Sequence, residues 1–184
     1  VLATASAVGR KLSDHTALNL AVDAALEAKT TITGAFDDAS ASYFGNIVVT
    51  DNVKRRILRR FPVEDLDVLI LVPQAKSYTS KSDVEAMRLV VRQVEVAHRE
   101  AKCGNFWTAM TLNGLIFSAC LGYSTQPIME VLRAGAIAAG LSGKGPAIAV
   151  VAEMSMRREL LDILSAYEGK TIVSKTNREK ARAC

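Results

Sequence analysis

Two adjacent carboxylates, Asp37 and Asp38, follow a glycine in the segment 31–45, among small and hydroxyl-bearing residues. Two like charges in such a setting are costly unless a cation, a ligand or water compensates them. A carboxylate at this place can orient or deprotonate a hydroxyl group, which phosphoryl transfer to an alcohol requires. The alternative is an Asx-type cap for a short helix, which suits one aspartate better than two. The pair is therefore a candidate catalytic site.

Glu27 lies at the end of the preceding predicted helix, and we expect it within reach of the pair. Its carboxylate could help to bind a metal ion, although a solvated surface glutamate is the more common situation.

A second segment, 140–146, is rich in glycine. Gly140, Gly143 and Gly145 permit tight turns that present backbone N–H groups to an anion. Ser142 adds a hydroxyl group and Lys144 a positive charge. The competing interpretation is a helix end with a tight turn into a strand, and the segment lacks the Walker A pattern. We expect the carboxylate pair and this loop to meet at one phosphoryl-transfer site.

The composition argues against several other functions. The net charge of +4 is mild, and the longest apolar segment, 106–121, is interrupted by polar residues, so the sequence predicts no membrane span. Three cysteines do not form a disulfide framework, which indicates a reducing, cytoplasmic compartment. The two histidines have no ligand cluster or nucleophile beside them. The basic strand at 53–61 leaves a nucleic-acid-binding module conceivable, but we expect no nucleic-acid partner.

Hydrophobic periodicity predicts the elements that position these residues. A helix begins at Ser13 or Asp14 and ends near residue 27, and a short helix over 36–44 carries the aspartate pair in its first turn, where the helix dipole partly offsets negative charge. Further predictions are a hairpin of strands 46–50 and 53–61, strands over 67–72, 147–152 and 171–174, a helix over 84–102 with a capping box of Ser82 and Glu85, helices over 106–121, 128–139 and 156–167, and a frayed basic tail over 175–184.

The intermixed order of helices and strands predicts an α+β fold with an internal boundary near 62–65. The chain has no initiator methionine, and residues 1–8 have the small-residue composition of a buried helix. We therefore expect that the chain is cut at its start.

At these motifs the sequence resembles a known family. The segment T-G-A-F-D-D-A-S-A-S-Y-F-G at 33–45 closely resembles the signature of archaeal-type shikimate kinases, which belong to the GHMP small-molecule kinase superfamily. The segments 47–52, 67–73, 112–114 and 134–146 resemble that family in order and spacing. The resemblance covers essentially the whole chain.

The resemblance implies a GHMP fold, with residues 1–62 as the remainder of an N-terminal domain similar to ribosomal S5 domain 2 and residues 63–184 as a ferredoxin-like C-terminal domain. It implies ATP, Mg²⁺ and transfer of the γ-phosphoryl group to the 3-hydroxyl of shikimate in aromatic amino-acid biosynthesis. The acidic base would be Asp37 or Asp38, and the resemblance leaves both open. Residues 140–145 would match the third GHMP motif, near the phosphates.

Two features depart from that family. The sequence contains no segment of the type P-x-x-x-G-L-x-S-S-A, the loop that binds ATP phosphates, and Asn46 stands where a second glycine is usual. We therefore expect little or no kinase activity from this chain alone. Alternatives are a GHMP kinase of the homoserine or mevalonate type, and a binding module without catalysis; the oligomeric state stays open.

Overall fold

The computed structural model describes residues 1–31, 34–74 and 84–182, without the side chain of Val84. They form two compact units, Val1–Val63 with Asn177–Cys184, and Glu64–Thr176. Each unit combines helices with an antiparallel sheet, so the α+β class is confirmed. The domain boundary after residue 62 stays a prediction. None of the helices in the described ranges is long and apolar enough to cross a membrane.

Three helices open the first unit: α1 (Leu2–Ala7), α2 (Asp14–Glu27) and α3 (Phe36–Phe44). Ser13 caps α2, because its Oγ accepts the N–H of Thr16 at 3.1 Å. The apolar stripes of α2 and α3 meet in a buried cluster of Leu18, Val22, Phe36 and Phe44. This cluster fixes the helix that carries the aspartate pair.

The predicted hairpin follows as β1 (Ile47–Asp51) and β2 (Arg56–Phe61), paired antiparallel with Ile47 opposite Phe61. Arg55 precedes β2 in the left-handed region, with φ at 47°. Its Nη1 lies 2.7 Å from Asp23 Oδ1 on α2, so the turn is tied to the helices of the same unit.

The C-terminal tail also belongs to this unit. The N–H of Asn46 donates to Asn177 O at 2.6 Å, and the N–H of Ala181 donates to Tyr43 O at 2.7 Å. The prediction of a frayed tail is wrong for residues 177–181, because their backbone is bonded to Asn46 and Tyr43. We call residues 177–181 the C-terminal strap.

The second unit contains a four-stranded antiparallel sheet in the order β4-β5-β3-β6. The strands are β3 (Asp67–Val72), β4 (Ala138–Leu141), β5 (Ile148–Ala152) and β6 (Lys170–Lys175). The helices are α4 (Val84–Leu89), α5 (Val91–Cys103), α6 (Phe106–Leu121), α7 (Gln126–Arg133) and α8 (Arg157–Ser165). Ser82, the first residue of the predicted capping box, lies outside the described residues.

Alternate residues of β5 join different apolar clusters, because successive side chains of a strand point to opposite faces. Val150 packs with Leu69 of β3 and with buried residues of α7 and α8. Val151 instead packs with Ala138 and with Trp107 of α6. Both faces of the sheet therefore pack against apolar side chains.

The helix expected over 128–139 is wrong in its second half. Helix α7 ends at Arg133, and the left-handed Gly135, with φ at 101°, separates it from β4. Alanine favours helices, but the alanines of β4 pair with β5 and are fully buried. The helix expected over 84–102 is likewise two helices, α4 and α5, which are broken at Val90.

Candidate functional site

The aspartate pair stands in the first turn of α3, as the sequence predicts. Two left-handed residues precede the helix, Gly34 with φ at 84° and Ala35 with φ at 47°. A Cβ on Gly34 would lie 2.5 Å from Val22 Cγ1 of α2, so only glycine allows this approach. The start of α3 is thereby seated against the last turns of α2.

Helices α2 and α3 run antiparallel, because contacts join opposite ends of the two. Gly34 approaches Val22 near the end of α2, while the hydroxyl of Tyr43, near the end of α3, donates to Asp14 Oδ1 at 2.9 Å. Glu27, the last residue of α2, therefore lies at the same end of the helix pair as the aspartates. The structure brings these three carboxylates to one end of the first unit.

The surroundings of Asp38 disfavour its negative charge, although the residue is exposed. The pKa of Asp38 is raised, first because nearby protein atoms displace part of its hydration and second because of the negative charge of Asp37. A carboxylate with a raised pKa holds a proton more strongly. Near neutral pH such a carboxylate is therefore a better proton acceptor than an aspartate of ordinary pKa.

The carboxylates at this end suit magnesium in their chemistry, because Mg²⁺ prefers oxygen ligands. Among the described residues, no group of three or more histidine, cysteine, aspartate or glutamate side chains is placed to hold a metal ion. Mg²⁺ in phosphate-transferring sites needs only one or two protein carboxylates, since phosphate and water oxygens complete its coordination. The donor atoms are therefore of the type that Mg²⁺ binds, and the metal role of Glu27 stays a prediction.

The glycine loop is a tight hairpin between β4 and β5. The N–H of Ser142 donates to Ala147 O at 2.8 Å, and the N–H of Gly145 donates to Ser142 O at 3.1 Å. Gly143 and Gly145 have φ at 61° and 73°, in the region that favours glycine. Ser142 is exposed and Lys144 partly exposed at the tip, so both side chains can meet a ligand.

Gly140 does not belong to this loop, which corrects the segment expected from the sequence. It lies buried in β4, where a Cβ would come within 2.6 Å of Met110 O on α6. The Oγ1 of Thr111 accepts the N–H of Ala139 at 3.3 Å along the same contact. Close helix packing accounts for glycine at this position without a ligand, and the cofactor role of Gly140 stays a prediction.

The two predicted parts of the site lie in different compact units. The aspartates and Glu27 belong to the unit Val1–Val63, and the glycine loop belongs to Glu64–Thr176. Two features were not predicted from the sequence: the contact of Gly114 with Gly140, and the group formed by Asp14, Tyr43 and Lys180. The L-N-G segment at 112–114 was a signal for the first, whereas no local pattern marks the second.

Comparison with solved structures defines the class of fold. The chain superposes on homoserine kinase from Cytophaga hutchinsonii with a TM-score of 0.68 at 16% identity, over 96% of this chain and 62% of that one. It superposes on mevalonate kinase from L. major, in complex with R-mevalonate, with a TM-score of 0.62 at 16% identity, over 94% and 60%. The chain therefore has the GHMP kinase fold. No family model matches its sequence.

Sequence comparison defines the family more narrowly than the fold does. The chain is 42% identical over 171 residues to a shikimate kinase of Methanothermobacter thermautotrophicus, which covers 93% of this chain and 59% of that protein. It is 40% identical over 182 residues to the shikimate kinase of Methanothrix thermoacetophila, covering 99% and 63%. The predicted resemblance to archaeal-type shikimate kinases is confirmed. The chain spans about three fifths of the length of these relatives.

Proposed function

We propose that the protein, at its full natural length, is an ATP-dependent kinase that phosphorylates the 3-hydroxyl of shikimate in aromatic amino-acid biosynthesis. The observation that carries this proposal is the 42% identity to a shikimate kinase over 93% of the chain. A match of that extent includes both the aspartate pair and the glycine loop. Cys103 and Cys120 are free thiols, which supports a reducing cytoplasmic location.

In this proposal Asp38 is the base. As the 3-hydroxyl oxygen forms its bond to the γ-phosphorus, the hydroxyl proton passes to a carboxylate oxygen of Asp38, and ADP leaves with the electrons of the broken P–O bond. The raised pKa of Asp38 and its place in the first turn of α3 support this role. Asp37 raises the proton affinity of its neighbour through its charge.

The remaining predicted residues would bind the nucleotide. Ser142, Gly143 and Lys144 would contact phosphate oxygens, Gly145 would shape the turn beside them, and Gly140 would support the loop from β4. Glu27 would hold Mg²⁺, which screens the phosphate charges when bound. Gly143 leaves open space at its Cα, which suits a close approach by a ligand. The proposed partners are thus ATP and a small alcohol, with no nucleic acid.

The test measures ADP release from the protein expressed from its complete gene. We expect Asp38→Asn to lower kcat by about 100-fold or more, because a neutral amide cannot take the proton. Asp162→Asn, which changes an exposed carboxylate on α8, is the matched control and should leave kcat unchanged. Full activity in both Asp37→Asn and Asp38→Asn would refute the role of the pair.

A substrate panel tests the identity of the alcohol. Shikimate, homoserine and mevalonate are compared by kcat/KM with ATP in excess. We expect shikimate to be preferred. A preference for homoserine or mevalonate would change the proposed substrate but not the proposed class of reaction. Binding without any turnover would favour a module that has lost catalysis.

The 184-residue chain by itself gives a separate expectation. It contains no P-x-x-x-G-L-x-S-S-A segment to hold ATP phosphates, so we expect little or no ADP release with shikimate. Normal turnover by this chain would show that the glycine loop and the aspartate pair suffice.

A further inference from the structure

The C-terminal strap, residues 177–181, contacts the end of α3 opposite to the aspartate pair. We propose that the strap is a positioning element for α3 and that Lys180 is its positioning residue, acting through Asp14 and Tyr43. This inference rests on the proposed function, because it concerns the placement of the Asp37 and Asp38 carboxylates for phosphoryl transfer.

The strap backbone fits closely against the residues that follow α3. A Cβ on Gly45 would lie 2.8 Å from Glu179 O and 2.9 Å from Asn177 O, so a side chain at position 45 would displace the strap. The N–H of Ala181 donates to Tyr43 O in the last turn of α3, at 2.7 Å. The end of the helix is therefore held by the strap backbone.

The contacts of Asn46 explain why an asparagine stands where the family usually has a second glycine. Its φ is 61°, a conformation that asparagine tolerates better than most residues. Both polar atoms of its side chain form hydrogen bonds. Nδ2 donates to Arg178 O at 3.2 Å, and Oδ1 accepts the N–H of Val63 at 3.3 Å. A glycine would keep the backbone conformation but lose the bond to the strap.

One carboxylate oxygen joins the strap to both helices. Asp14 Oδ1, at the start of α2, accepts the hydroxyl of Tyr43 at 2.9 Å and the ammonium of Lys180 at 2.6 Å. The Nζ of Lys180 also lies 5.1 Å from the centroid of the Tyr43 ring. Lys180 and then Tyr43 lower the pKa of Asp14, so its carboxylate stays charged and the three groups hold together.

A short helix transmits such a constraint along its length. Helix α3 has nine residues and is fastened to α2 at both ends, by Gly34 beside the aspartates and by Tyr43 at the far end. Loss of the Lys180 contact loosens the far end of the helix, so that its first turn can shift slightly although the apolar cluster with α2 remains. A shift of about 1 Å in a catalytic group can cost up to about 100-fold in rate.

The experiment compares Lys180→Ala, Lys180→Arg and Arg182→Ala in the protein expressed from its complete gene. Arg182 is the matched control, because it lies next to the strap and its pair with Glu179, at 3.8 Å, joins two exposed side chains. We expect Lys180→Ala to lower kcat about fivefold to tenfold with an unchanged KM for shikimate, and Lys180→Arg to restore most of it. Arg182→Ala should match the wild type.

Amide hydrogen exchange gives a readout besides activity. Lys180→Ala should speed exchange of the α3 amides about tenfold while β3 amides of the second unit stay unchanged. Faster exchange with unchanged kcat, or unchanged exchange, would overturn the positioning role. Wild-type protein without shikimate turnover would instead overturn the proposed function, so the two failures are distinguishable.

Discussion

Gly114 of α6 and Gly140 of β4 are in direct backbone contact. A Cβ on Gly114 would overlap the Cα of Gly140 and lie 3.1 Å from the amide nitrogen of Leu141. Helix and strand thus approach more closely than any side chain permits. Because β4 leads directly into the hairpin at 142–147, this contact fixes where the glycine loop leaves the sheet.

Gly114→Ala should destabilise the protein by about 1–3 kcal/mol, because the added methyl forces α6 away from β4. The sign of this change in the free energy of unfolding is informative, because replacing glycine by alanine inside a helix otherwise stabilises a protein by up to about 1 kcal/mol. Urea unfolding measures the difference. Ala119→Ser adds one atom at an exposed position of the same helix and should stay within about 0.5 kcal/mol of the wild type. Increased stability in Gly114→Ala would contradict the close contact.

Asp67 should make stability depend on pH. It is fully buried in β3, and its two oxygens accept the Nε and Nη2 of Arg157 at 2.6 Å each. Arg157 lowers the pKa of Asp67 below its usual value. The pair therefore stabilises the fold above the unfolded pKa of about 4, and this contribution is lost as the pH falls through the lower folded pKa.

Asp67→Asn should cost about 2–3 kcal/mol at pH 7, the lower end for a broken buried pair because Arg157 is partly exposed. Urea unfolding from neutral to acidic pH should show the difference from wild type shrinking below about pH 4. Glu159→Gln, at an exposed carboxylate of α8, is the control for a simple loss of charge. A difference that stays constant over the whole pH range would refute the linkage.

The acid limb of the pH profile of kcat/KM should reflect the ionisation of Asp38. Its raised pKa places this limb above the ordinary aspartate value of about 4. Asp37→Asn removes the neighbouring negative charge and should move the limb to lower pH, although not fully, because desolvation is the larger cause of the shift. Asp162→Asn should leave the limb in place. A limb that does not respond to Asp37→Asn would exclude Asp38 as the titrating base.

Tyr167 should ionise well above the ordinary tyrosine pKa. Burial and the hydrogen bond from its hydroxyl to Glu130 Oε2, at 2.6 Å, raise the pKa of Tyr167 to about 12. Tyrosinate absorbance followed to high pH should lose a step near pH 12 in Tyr167→Phe. Glu130→Gln should move that step to lower pH, because the charge that disfavours tyrosinate is gone. Protein unfolded in urea, where tyrosines ionise near about 10, is the reference.

Elements with a regular pattern and local signals were predictable. The Ser13 cap and the apolar period of α2 correctly predicted that helix, and a single apolar run predicted β3. Strand β4 was missed because Ala138, Ala139 and Gly140 carry no strand pattern. They form a strand because Gly140 lets β4 approach α6 closely, and because Ala138 and Ala139 are small enough to be fully buried. The reason lies in a helix that is distant in sequence.

The same distinction applies to the candidate site. The composition around Asp37 and Asp38 indicated an unusual pair, and the short helix placed both in its first turn. The raised pKa of Asp38, and the position of Glu27 at the same end of the helix pair, depend on how α3 packs against α2. Lys180 was read as part of a frayed tail because its partner Asp14 is 166 residues away.

The sequence by itself determined the chemistry available to this protein: the paired carboxylates, the glycine loop and the resemblance to archaeal shikimate kinases, all of which are encoded in contiguous residues. Only the tertiary structure decided that Gly140 serves helix packing and that the strap fastens the end of α3. The physical reason is that close approaches and long-range pairs such as Lys180 with Asp14 are created when the chain folds. A pair such as Lys180 with Asp14 leaves no mark in the local order of residues.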